Sequence, residues 1–146
     1  MSLVPLLLFA AAATFPDTTG TWKADLSKCV FLNSAPDEMT AKIADTATTY
    51  TVAVTETRNG TPRTVEFRLD KSGKEAVTTI GDVEIRTTLR IENDVMYESA
   101  VFTTSSSRFS RKATVRVSGD GKTITKESVY AFPDGERRDK IVLIKQ

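Results

Sequence analysis

The amino-acid sequence predicts an all-β fold, an antiparallel up-and-down β-barrel of about ten strands, with a two-sheet β-sandwich as the alternative. Three observations lead there. Short runs alternate apolar and polar residues, as in Val65, Phe67 and Leu69 against Thr64, Glu66 and Arg68; that period of two buries one face of a strand and wets the other. Turn-forming pairs such as Asn59-Gly60 and Gly81-Asp82 punctuate the runs, at intervals too short for the helices of βαβ units. Thr, Val and Ile are abundant in the runs, which fits strand preference and argues against helix. A chain of 146 residues is expected to form one domain whose core needs no staples.

The first element is not a strand. Residues 3–13 form an apolar run without charge, ending in Ala11-Ala12-Ala13. Its length suits the apolar region of a secretory signal peptide and falls short of the ~20 residues a membrane helix needs. Residues 1–13 are therefore expected to be a cleavable signal peptide, and 14–146 the mature single domain. No Lys or Arg precedes the run. The competing reading, a buried first strand or helix, lacks polar flanks. The expected address is export, periplasmic or secreted, without stable membrane insertion after cleavage.

The expected strands follow in order at 20–24, 39–44, 48–57, 63–69, 75–80, 83–91, 95–104, 108–117, 123–131 and 137–145. Gly20-Thr21-Trp22-Lys23 opens the first. The link 25–38, with Leu26, Cys29, Val30, Phe31 and Pro36, is the longest and is expected to cap one end of the barrel after a helical turn beyond Asp25. Tyr50, Val52 and Val54 share one face of the third run. Asn59-Gly60 then suits a type I′ hairpin, because both residues tolerate positive φ. Val83, Ile85, Leu89 and Ile91 alternate with Glu84, Arg86, Thr88 and Arg90, Thr87 being the one polar member of the inner set. Asn93-Asp94, Gly119-Asp120-Gly121 and Pro133-Asp134-Gly135 supply the later turns. Mostly short links favour a meander, and closure removes the exposed edges such a sheet would otherwise present.

The string Gly20-Thr21-Trp22-Lys23 resembles the G-x-W signature of the calycin superfamily, which holds the lipocalins and the fatty-acid-binding proteins. Read onwards to Lys28, together with Ser118-Gly119-Asp120-Gly121-Lys122-Thr123-Ile124-Thr125, it is similar to small exported bacterial lipocalin-like proteins of undefined function. The resemblance implies a lipocalin-like barrel in which Gly20 and Trp22 close one end. A late basic residue, Lys145 or Lys140, would pack across the indole, a contact worth about 0.5–2 kcal/mol. The departures are specific. The link after the first strand is too short for the helix-turn-helix lid of fatty-acid-binding proteins. Their Arg-x-Tyr clamp in the final strand is replaced by Ile141-Val142-Leu143-Ile144. The axial histidine of a nitrobindin-type haem barrel is absent.

Composition excludes several functions. There are 20 basic and 19 acidic residues, a net charge of +1, so no broad field draws nucleic acid, and none is expected as a partner. The chain has no histidine and one cysteine, Cys29. Ser-His-Asp and Cys-His catalysis, His-based zinc or haem sites and an internal disulfide are therefore ruled out within it. Asp120 among glycines lacks the acidic series of an EF-hand and reads as a hairpin. Asn59-Gly60-Thr61 matches a glycosylation acceptor, but the hairpin explains it equally well. No catalytic residues, no metal site and no cofactor are assigned, and the protein is expected not to be an enzyme.

Four residues are candidates for a ligand site. Arg111 shares parity with Phe109, Ala113, Val115 and Val117, so it is expected to point into the barrel. Lys126 is in step with Ile124, Ser128 and Tyr130. A buried cation must be paired or meet an anion, so Arg111 is read as orienting the acidic or polar end of an amphipathic ligand, with Tyr97 or Tyr130 as further donors. The competing reading pairs Arg111 with Glu98 or lets it reach water at the mouth. The leading function is an exported, non-catalytic binding protein for a small apolar or amphipathic ligand. Its alternative is a structural or interaction module of the cell envelope, its lumen filled by Phe67, Phe102, Phe109, Tyr50 and Tyr97.

Overall fold

The computed structural model describes residues 15–146; the expected signal peptide, 1–13, lies outside the described residues. Within them, ten strands follow in chain order: β1 (Gly20–Ala24), β2 (Glu38–Asp45), β3 (Thr49–Arg58), β4 (Thr61–Asp70), β5 (Ala76–Ile80), β6 (Val83–Glu92), β7 (Val95–Thr103), β8 (Arg108–Val117), β9 (Thr123–Phe132) and β10 (Gly135–Lys145). All belong to one sheet of order β4-β3-β2-β1-β10-β9-β8-β7-β6-β5. Every ladder in it is antiparallel. The sheet curls until β4 lies against β5 and β6, with no ladder joining β4 to β5 among the described residues. The fold is thus the nearly closed up-and-down barrel, not the sandwich.

The largest shifts from the expected strands are at the starts of β4 and β10, which begin at Thr61 and Gly135 rather than at Arg63 and Arg137. Both follow tight turns that let pairing run to the tip, Arg58 facing Thr61 and Gly135 facing Phe132. Asn59 and Gly60 have φ of 50° and 77°, the two positive values a type I′ turn requires. Asp120 accepts the Ser118 hydroxyl at 2.6 Å and the Lys122 amide at 3.0 Å, fastening the β8–β9 turn.

The long link after β1 makes a 3₁₀ turn at Leu26–Lys28 and then rejoins β10 through a bridge between Val30 and Lys140. It therefore runs on along β10 in the line of β1. Half-buried Cys29 fills this bulge, its Sγ accepting the Val142 N–H at 3.3 Å. Phe31 turns inward against the core.

Strand alternation gives the barrel two unlike ends. At the end that carries residues 15–19 and the β2–β3, β4–β5, β6–β7 and β8–β9 turns, the lumen is filled. Trp22 and Met96 are fully buried there and Tyr50 nearly so. The Trp22 indole N–H donates to the Thr18 carbonyl at 2.8 Å, and Phe15 meets Tyr50 edge-on at 6.5 Å. Burying one such large side chain is worth about 1.5–3 kcal/mol. Lys145, cross-strand partner of Trp22, holds its Nζ 5.7 Å from the indole centroid. A Cβ on Gly20, whose φ is 140°, would lie 3.7 Å from the Lys145 stem. Lys145 rather than Lys140 thus covers the tryptophan.

The opposite end carries the long link and the β3–β4, β5–β6, β7–β8 and β9–β10 turns. Its inner wall bears a ladder of half-buried aromatic rings. Phe102 stacks on Phe109 at 4.7 Å, Phe109 meets Phe132 at 4.7 Å, and Phe132 stacks on Tyr130 at 5.8 Å.

Candidate functional site

Between the filled end and the aromatic mouth lies a cavity of about 230 Å³. Its register explains its chemistry. On β7 and β8, Glu98 faces Ala113 and Arg111 faces Ala100, so each long charged side chain sits across from a small one and has room to lean inward. On β8 and β9, Arg111 faces Tyr130 and Val115 faces Lys126; on β9 and β10, Ser128 faces Asp139. The polar wall that results is Glu98, Arg111, Lys126, Ser128, Tyr130 and Asp139. Met39, Ile43, Val52 and Phe67 form much of the opposite, apolar wall, with Phe31 from the link, while Ile141 lies on β10 beside Asp139.

Glu98 is the hub. It is 5% exposed, and one oxygen, Oε2, accepts from both Lys126 Nζ at 2.7 Å and Arg111 Nη2 at 3.3 Å. Burial by itself would raise its pKa, but the charges of Lys126 and Arg111 outweigh that, and the carboxyl is held below the ordinary value of 4.5. Burial pushes the Lys126 amine down despite the attraction of Glu98. It pushes the Tyr130 phenol up, against the pull of the Arg111 charge. Tyr130 donates its hydroxyl to Asp139 Oδ2 at 3.0 Å. The Arg111 guanidinium lies 5.4 Å from the Phe102 ring centroid, tying the polar wall to the aromatic mouth. Two polar atoms of this wall, Arg111 Nε and Asp139 Oδ1, are buried without a hydrogen-bond partner among the described residues.

Of the four expected ligand-site residues, the structure brings three together. Arg111 and Lys126 both point inward and share Glu98, the partner the competing reading named, and Tyr130 stands beside them. Tyr97 does not join them. It alternates with inward Met96 and Glu98 and faces Arg90 and Thr114 on the outer side, where the Arg90 guanidinium covers its ring at 4.4 Å. The run Val95-Met96-Tyr97 is apolar on both faces, so its parity could not be read from polarity alone. Tyr97 is accordingly also no part of the lumen filling. A wider hollow of about 1000 Å³ spreads over that outer side, against Arg90, Tyr97, Lys112 and Arg138.

Asp139 and Phe31 were not anticipated in the site. Asp139 sits in Arg137-Arg138-Asp139-Lys140, which reads as a solvated charge run. Its parity with Ile141 and Leu143 was the available signal. Phe31 lies in a link, where no period exists to orient it.

No protein-family model matches the chain, and no curated protein matches it in sequence. Its fold is similar to solved structures. A secretory abundant heat soluble protein of Ramazzottius varieornatus matches at a TM-score of 0.58 and 16% identity, over 88% of this chain and 94% of that one. Secretory abundant heat soluble protein 4 of the same organism matches at 0.58 and 14%, with the same coverage. The zebrafish ileal bile acid-binding protein, crystallised with cholic acid, matches at 0.54 and 16%, over 88% of this chain and 98% of that one. These likenesses show that the chain shares their single antiparallel β-barrel fold.

Proposed function

We propose that this is an exported, non-catalytic binding protein that holds one small apolar or amphipathic molecule in the barrel, its polar end against Arg111, Lys126 and Tyr130. The observation that carries the reading is the two-faced cavity: an apolar wall from β2, β3 and β4 confronts a polar wall from β7, β8, β9 and β10. That division orients an amphipathic guest, because its tail is desolvated on one side while its head meets hydrogen-bonding groups on the other. At about 230 Å³ the space equals that of about eight waters, so the guest is small or leaves part of itself in the aromatic mouth. The zebrafish bile acid-binding protein, crystallised with cholic acid, offers a precedent for a lipophilic guest in this fold. Export is supported by the apolar run 3–13. A non-catalytic role is supported by the polar wall itself, in which Glu98 is consumed by two cations.

A barrel acting through its outer surface is the second reading, and the filled end around Trp22 and Met96 favours it. Thermal unfolding with a panel of small amphiphiles separates the two. The binding reading expects some members to raise the melting temperature of the wild type, and Arg111→Met to lose that rise while keeping Glu98 paired with Lys126. If no member shifts the wild type, or if Arg111→Met responds like it, the assignment of the guest to this cavity fails.

A further inference from the structure

The polar wall holds one cation more than Glu98 requires. Glu98 makes both of its ion pairs through Oε2, with Arg111 Nη2 at 3.3 Å and Lys126 Nζ at 2.7 Å, and Arg111 alone would balance its charge. Arg111 is permanently charged, whereas a lysine amine also exists neutral and then carries a nucleophilic lone pair. The surroundings of Lys126 favour that form. It borders the cavity, its cross-strand neighbours are Val115 and Ile141, and Val115 and Ile124 are buried. Its side chain reaches across β8 to Glu98 on β7, and 29% of it stays accessible. Among the described residues its amine hydrogen-bonds to Glu98 alone. Burial and the Arg111 charge lower its pKa, against the attraction of Glu98 and Asp139. Across the cavity stands the apolar wall of Met39, Ile43, Val52 and Phe67.

Resting on the binding reading, we infer that the guest is an apolar aldehyde and that Lys126 Nζ holds it as a reversible imine, its tail against the apolar wall. In the net step the ammonium and the aldehyde give a protonated imine and water. The C–N bond forms and the carbonyl C–O bond breaks. Two amine protons leave with the oxygen, and the remaining one stays on nitrogen. No oxidant or reductant takes part. The positive charge beside Glu98 is the same before and after, so the pair with the carboxylate survives the reaction. Arg111 keeps Glu98 paired while the amine passes through its neutral form. An alcohol of the same length occupies the same space but forms no such bond.

The test incubates the protein, purified from an exporting host, with octanal and sodium cyanoborohydride, which delivers hydride to an imine carbon and fixes the link as a secondary amine. Peptide mass spectrometry locates the octyl groups, and binding of octan-1-ol is followed in parallel by nuclear magnetic resonance. Lys126 is expected to be labelled at least about tenfold faster than exposed Lys112, because a bound aldehyde is held beside its amine. That labelling should saturate with octanal and be suppressed by octan-1-ol, whereas labelling of Lys112 does neither. Lys126→Met, in which Arg111 still serves Glu98, is expected to lose the saturable label while Lys112 is labelled as before. Lys126 reacting no faster than Lys112, or reacting without suppression by octan-1-ol, would overturn the imine. So would a saturable label that persists in Lys126→Met. In each of those cases bound octan-1-ol leaves the binding reading intact. If neither octanal nor octan-1-ol bound, both this inference and the binding reading would fall.

Discussion

Glu98→Gln isolates the energetics of the polar wall, because it changes charge while nearly conserving shape. The substitution removes the carboxylate oxygen that serves Lys126 at 2.7 Å and Arg111 at 3.3 Å. Two cations then share one interior without a counter-charge between them. Arg111, 12% accessible in its side chain, cannot shed its proton. Lys126 can, since burial already lowers its pKa, and 29% of its side chain remains accessible. Breaking a buried pair by removing one partner costs about 3–5 kcal/mol, and relief through Lys126 places the loss near the lower bound, about 3 kcal/mol. For a domain of this size each kcal/mol shifts the melting temperature by about 3–4 °C, so the expected drop is about 10 °C. Urea unfolding followed by the fluorescence of Trp22 measures it, with an unchanged slope showing that the folded and unfolded states remain comparable. Glu92→Gln, which breaks the exposed pair with Arg90, serves as the reference and should cost less than about 1 kcal/mol. A Glu98→Gln loss as small as the reference would refute the claim that Glu98 holds two buried cations.

The remaining expectations follow from the same geometry. The folded-state pKa of Glu98 is below its ordinary 4.5, so its contribution is complete above 4.5 and is lost as pH falls through the folded value; wild type should lose more stability on acidification than Glu98→Gln, as thermal melts across that range would show. Trp22→Phe deletes the N–H that reaches the Thr18 carbonyl at 2.8 Å in a fully buried setting and should cost about 1–3 kcal/mol in urea unfolding followed by circular dichroism, since the chain has no other tryptophan to report. Lys145→Ala removes only the partly solvated contact over that indole and should cost about 0.5–1 kcal/mol, less than Trp22→Phe by the same assay. Gly60→Ala places a side chain at φ 77° in the β3–β4 turn; a penalty of about 1–2 kcal/mol is expected, and a neutral result would argue against the type I′ geometry.

The strands were legible because period-two alternation and turn chemistry act locally. Val83 to Ile91 and Tyr50 to Val54 declare their faces without reference to anything distant. The inward course of Arg111 and Lys126 was legible for the same reason, since Arg111 interrupts an otherwise apolar parity and Lys126 keeps step with Ile124 and Tyr130. Closure of the barrel was favoured but not decided, because the approach of β4 to β5 and β6 depends on cumulative twist and on no local motif. Tyr97 was misplaced where apolar residues occupy both faces of one strand. Asp139 was hidden in a run of charges, and its parity with Ile141 and Leu143 gains weight only once its register with Ser128 on the neighbouring strand is known. The joint use of one Glu98 oxygen by two cations is a three-strand property that no single run encodes. The aromatic mouth likewise assembles Phe102, Phe109, Phe132 and Tyr130 from three strands, and the sequence separates them by up to thirty positions.

The central claim is that the two-faced cavity holds a guest, and native mass spectrometry of the mature protein from an exporting host tests it most directly. The account predicts an adduct of small mass that survives gentle ionisation, disappears on denaturation and is lost from Arg111→Met. A bare protein mass, together with a melting temperature unmoved by every amphiphile in the panel, would contradict it and leave a barrel that works through its outer face.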